Sequence, residues 1–102
     1  MKLRGAIERA EKGLIDADLG GGLIKQRVGR DGQGRSGGYR TIIAYQKGSR
    51  AFLLYGFPKS ERDNIGPAEL AELRTVGSNW LEASAQKIDE AVAAGVLMEV
   101  GP

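Results

Sequence analysis

Two runs of β-branched, aromatic and other apolar residues, Tyr39 to Gln46 and Ala51 to Phe57, lie on either side of Lys47-Gly48-Ser49-Arg50. Short runs of this composition around a glycine-containing connection predict an antiparallel hairpin. The second run, Ala-Phe-Leu-Leu-Tyr-Gly-Phe, is apolar at successive positions. It therefore predicts a strand in the middle of a sheet, covered on both faces. Leu23 to Val28 predicts a shorter strand with Lys25 and Arg27 on one face. Between them, residues 29–38 contain five glycines, too many for regular structure, and form a loop that carries Arg30 and Arg35.

Helices flank the strands in sequence. Leu3, Ile7, Ala10 and Leu14 recur at helical spacing and predict an amphipathic helix over about residues 2–17, with Gly20-Gly21-Gly22 as its stop. A phosphate-loop reading of those glycines fails because no Lys-Ser/Thr follows at the required spacing. Gly66-Pro67 opens a second helix with proline at its first position and Glu69 in its first turn, and Leu70, Leu73, Trp80 and Leu81 form its stripe. Ser84 caps a third, followed by Ile88, Ala91 and Val92, with Gly95 as the stop. Val96 to Val100 reads as a short final strand. The order predicts one α+β domain over residues 1–102: a small antiparallel β-sheet with helices packed on one face. Two-sided apolar strands also predict self-association, or pairing with a partner strand, through an exposed sheet edge.

Charge is segregated along the chain. Residues 1–24 are balanced, with four basic and four acidic groups. Residues 25–62 carry nine basic groups (Lys25, Arg27, Arg30, Arg35, Arg40, Lys47, Arg50, Lys59, Arg62) against Asp31 and Glu61, net +7. Residues 63–102 carry two basic and seven acidic groups, net −5. A basic middle of this kind suits a polyanion such as nucleic acid, though a solvated surface has the same composition. The chain has no cysteine and no histidine, so disulfides, thiolate metal sites and imidazole catalysis are excluded. No cofactor is expected, nor any membrane partner, since no apolar run approaches the roughly 20 residues a span needs. No secretory leader is evident, and the cysteine usage points to a reducing cytoplasm.

Three stretches carry a resemblance. They are Gly13-Leu14-Ile15-Asp16-Ala17-Asp18-Leu19-Gly20-Gly21-Gly22-Leu23, then Gly34-Arg35-Ser36-Gly37-Gly38-Tyr39-Arg40 with Lys47-Gly48-Ser49-Arg50-Ala51-Phe52, then Leu54-Tyr55-Gly56-Phe57-Pro58 through Ile65. In order and spacing they resemble the phage-derived, HigB-like branch of the RelE/ParE toxins. That resemblance implies a RelE/ParE-like fold and a ribosome-dependent mRNA endoribonuclease. It also implies a helix-turn-helix-type antitoxin as partner, alongside mRNA and the ribosome. Members similar to this chain begin with a strand and a further helix, so an N-terminal strand is expected to be missing here. Two other readings stay open: a ParE-like DNA gyrase inhibitor, and a non-catalytic nucleic-acid or ribosome-binding module.

RNA cleavage of the implied kind needs the 2′-OH deprotonated, the phosphorane stabilised and the leaving 5′-oxygen protonated. Arginine holds a phosphate with its fork but stays protonated, whereas lysine can move a proton if neighbouring charge lowers its pKa. Arg40 and Arg62 are accordingly the expected phosphate clamps, and Lys59 the expected proton-transfer or electrostatic group. Lys25, Arg27, Arg35, Lys47 and Arg50 are expected on the RNA backbone, with Tyr39 and Tyr55 as stacking candidates. Tyr55, lying in an apolar strand, equally suits core packing, and Trp80 reads as core.

Overall fold

A computed structural model of the chain describes residues 3–29, 38–58 and 65–99. They form three helices, α1 (Leu3–Glu11), α2 (Pro67–Glu82) and α3 (Ala85–Ala93), and four strands, β1 (Ala17–Gly20), β2 (Leu23–Val28), β3 (Tyr39–Gln46) and β4 (Arg50–Pro58). The strands make one antiparallel sheet in the order β1-β2-β3-β4. The α+β class and the β3–β4 hairpin are as expected, with Gly48 in a positive-φ turn.

Helices cover both faces of the sheet, not one. Leu3, Ala6 and Ala10 of α1 pack on Ile24, Val28 and Ile43. Leu70, Leu73 and Leu81 of α2 pack on the opposite face with Leu23, Ile42, Ala44 and Phe57. The reason lies in β3, where Thr41, Ile42, Ile43 and Ala44 are all buried and so need cover on two sides. At Gly77 a Cβ would stand 2.9 Å from Leu23 Cδ2 and 3.1 Å from the Ala44 Cβ, so the missing side chain lets α2 lie close on the sheet.

The first helix is shorter than its apolar spacing suggests. Gly13, at φ 81°, ends it: its N–H donates to Ala10 O and the Leu14 N–H to Arg9 O, a left-handed glycine cap. Gly20, Gly21 and Gly22, all at positive φ, instead turn β1 into β2, a hairpin absent from the sequence reading. Buried Gln26 holds this arrangement together. Its Nε2 donates to Ala6 O and Leu14 O, both at 3.0 Å, and its Oε1 accepts the Asp16 N–H at 2.8 Å.

At the other end of the chain, α2 and α3 start as expected. Glu69 accepts the Gly66 N–H, and Ser84 Oγ accepts the Lys87 N–H at 3.1 Å. Residues 96–99 form no strand; the Val96 N–H closes the end of α3 on Ala91 O. Among the described residues β4 is an edge strand rather than a central one. A register shift between Ile42 and Ile43 pairs Ile42 with Tyr55 and Ile43 with Leu53, leaving Leu54 as an extra residue. The bulge, rather than cover on both sides, accommodates the adjacent pair Leu54-Tyr55.

Candidate nucleic-acid interface

Register decides which of the basic residues meet. Across β2, β3 and β4, Arg27 pairs with Arg40 and Arg40 with Phe57; in the adjacent row Lys25 pairs with Ile42 and Ile42 with Tyr55. Directly paired residues share a face, so these six positions form a grid on the side that α2 covers further along. Three cations stand on two strands and two aromatic rings on the third. The rings of Tyr55 and Phe57 lie 5.6 Å apart at 40°. Phe57 is buried, whereas Tyr55 sits at the surface rather than in the core.

Arg27 opposite Arg40 is an unfavourable choice for stability, since like charges facing each other across a sheet repel. Asp16 offsets part of that cost. Its carboxylate accepts the Arg27 backbone N–H at 2.6 Å and lies 3.5 Å from Arg27 Nε. Arg9 of α1 donates to the Arg27 carbonyl. The Arg27 side chain remains about half exposed, at 49%. Among the described residues neither Arg40 nor Lys25 makes an ion pair. An anion placed over this row would relieve the repulsion and be held by guanidinium forks.

The other expected residues lie elsewhere. Tyr39 pairs with Val28 and Pro58 on the opposite, α1 face. Lys47 sits in the β3–β4 turn, at the end of the sheet away from Arg40. Arg50 is engaged by the end of α2: its Nη1 donates to Trp80 O at 3.2 Å, Leu81 O at 3.1 Å and Ala83 O. A cation on those carbonyls complements the helix C-terminus. Trp80 is half-buried and stacks on Phe52 at 6.0 Å. The Tyr45 hydroxyl is buried without a hydrogen bond of normal geometry; burial, and then the adjacent Glu11 carboxylate, raise its pKa and keep it protonated. Arg35, Lys59 and Arg62 lie outside the described residues. Gly29, Gly38 and Pro58, which border those segments, are at the Arg27–Arg40 end of the sheet.

Sequence reasoning missed Asp16 and Phe57. Asp16 was absorbed into a helix drawn too long, and Gly13 was the signal that would have freed it. Among the described residues no three His, Cys, Asp or Glu side chains gather as a metal site, and no helix is long and apolar enough to cross a membrane.

These elements define a small α+β domain whose antiparallel sheet, with helices on both faces, carries a row of cations beside paired aromatic rings. Its family follows from the sequence: the family model described as the RelE toxin of the RelE/RelB toxin-antitoxin system matches residues 1–100, and the chain belongs to that family. It is thus a toxin of a toxin-antitoxin system, a class defined by an antitoxin partner. Comparison with curated proteins and with solved structures found no match.

Proposed function

We propose that this toxin is a ribosome-dependent endoribonuclease that cuts messenger RNA, of the HigB-like kind, and that a helix-turn-helix-type antitoxin silences it. The observation that supports this reading best is the Arg27–Arg40 pair, with Lys25 in the next row and Tyr55 and Phe57 on the adjoining strand. A single RNA strand offers a phosphate to the cations and an unstacked base to an aromatic face, and the grid holds both groups side by side.

In this reading Arg40 and Arg27 hold the scissile phosphate and stabilise the charge of the phosphorane. Lys59 takes the 2′-OH proton or supplies charge, and Arg62 is a second clamp. Tyr55 stacks on a base flanking the cut. Arg35 and Lys25 follow the RNA backbone. Attack of the 2′-oxygen on phosphorus, its proton passing to Lys59 or to water, breaks the bond from phosphorus to the 5′-oxygen, which takes a proton from the Lys59 ammonium or from water, leaving a 5′-hydroxyl end and a 2′,3′-cyclic phosphate.

Primer extension on ribosome-bound message tests the reading. Wild-type chain should give discrete cleavage ends, and Lys59→Arg should stay poor if Lys59 moves a proton, because a guanidinium cannot act as base. Recovery in Lys59→Arg would leave that residue only an electrostatic part. Intact message together with DNA damage would replace this reading with gyrase inhibition. Intact message with salt-sensitive binding alone would replace it with a non-catalytic binding module.

A further inference from the structure

Gln26 and Arg27 are neighbours on β2 and so face opposite sides of the sheet, Gln26 the buried α1 side and Arg27 the row of cations. β1 pairs with β2 only as far as Ala17 and Lys25. Past that point side chains take over the outer side of β2. The Asp16 carboxylate accepts the Arg27 N–H at 2.6 Å, and the Arg9 guanidinium donates to the Arg27 carbonyl. Asp16 is in turn held at both ends by these two residues of β2. Gln26 Oε1 accepts its backbone N–H at 2.8 Å. Arg27 engages its carboxylate through the backbone N–H and, at 3.5 Å, through Nε.

A primary amide in a core costs free energy unless its polar groups find partners. Gln26 is fully buried and finds them, Nε2 donating to Ala6 O and Leu14 O at 3.0 Å, while its backbone carbonyl accepts the Thr41 hydroxyl at 2.9 Å. A chain of hydrogen bonds thus runs from α1 through Gln26 and Asp16 to Nε of a half-exposed arginine. An arginine that binds an anion loses side-chain freedom. A carboxylate on Nε restricts that freedom in advance and leaves the N–H groups of Nη1 and Nη2 for a ligand.

We infer that Gln26 and Asp16 are positioning residues for Arg27. From the far face of the sheet Gln26 fixes Asp16, and Asp16 orders the Arg27 guanidinium for a phosphate shared with Arg40. The part this plays in cleavage rests on the proposed ribonuclease reading, whereas the ordering of Arg27 does not.

Proton–nitrogen spectra of the purified chain read the ordering directly. The Arg27 Nε–H, assigned by its loss in Arg27→Lys, should give a signal resolved from those of exposed arginines. Asp16→Asn can still accept the Arg27 N–H but lacks the charge, and Gln26→Met keeps the volume without the polar groups. In both, the signal should merge with the exposed set. Single-turnover cleavage of ribosome-bound message reads the consequence. Each change should slow cleavage about tenfold, less than the roughly hundredfold that an ångström of misplacement can cost. Neither should slow it further once Arg27 is alanine, because nothing is then left to position. Should Gln26→Met not fold, Asp16→Asn at the surface carries both readouts. An Arg27 signal already averaged in the wild type, or unmoved in the variants, overturns the inference. So does a loss that adds in full to that of Arg27→Ala, which would leave the pair only a structural part. Message left intact by the wild type fails the ribonuclease reading instead, and the Arg27 signal then decides the inference alone.

Discussion

The two ends of one sheet face are built on opposite rules. At one end Leu23, Ala44 and Leu54 meet α2 so closely that a single added methyl at Gly77 would collide with them. At the other end, two to four residues along the same strands, Lys25, Arg27 and Arg40 stand together where a stability-driven sequence would place opposite charges or apolar residues. The first end lowers the free energy of the fold, whereas the second raises it. A row of facing cations that the fold does not need is the arrangement expected of a surface kept for an anionic ligand.

The contrast can be broken from either side. The largest effect on stability should come from Leu23→Ala, since Leu23 is fully buried beneath α2. A loss of about 2–5 kcal/mol is expected in denaturant titration, from lost burial and the cavity left behind. Arg40→Ala should do the opposite. Cleavage should fall roughly a hundred- to thousand-fold, about 2.7–4 kcal/mol of barrier, as for loss of a preorganised charge. Its melting temperature should hold or rise, because the repulsion from Arg27 is gone; Arg40→Lys should rescue only in part, an ammonium lacking the fork. Normal cleavage by Arg40→Ala would move the site away from this row.

Smaller changes sharpen the boundary between the two ends. Gly77→Ala should destabilise by about 1–3 kcal/mol, since Leu23 and Ala44 must shift to admit the methyl. Asp16→Ala should lower the melting temperature and, by freeing Arg27, lower cleavage less than Arg40→Ala does, which kinetics on the same message would read. Ser84→Ala, remote from both ends, should cost about 1 kcal/mol of stability through its lost cap and leave cleavage unchanged.

Much of the architecture is visible in local chemistry alone. The β3–β4 hairpin follows from two β-rich runs around Gly48, and the start of α2 from Gly66-Pro67 with Glu69. The Ser84 cap and the Gly95 stop bound α3 in the same way. Each of these signals is read within one turn of backbone, where propensity and hydrogen bonding act without help from distant residues. Arg40 and Arg27 were legible as cations on strands for the same reason.

What the tertiary structure alone decided is which residues meet. Apolar spacing carried the first helix through to residue 17, but Gly13 stops it, and buried Gln26 binds Ala6, Leu14 and Asp16 into the turn that follows. Gln26 looks like any strand residue until its three partners are in place. That Arg27 faces Arg40, that Tyr39 lies on the other face and that Arg50 caps α2 all depend on register and helix docking. Composition made β4 apolar, yet it could not distinguish a strand enclosed by the sheet from one at its edge. Burial and pairing are properties of neighbours brought together from far along the chain, and no local pattern of residues encodes them.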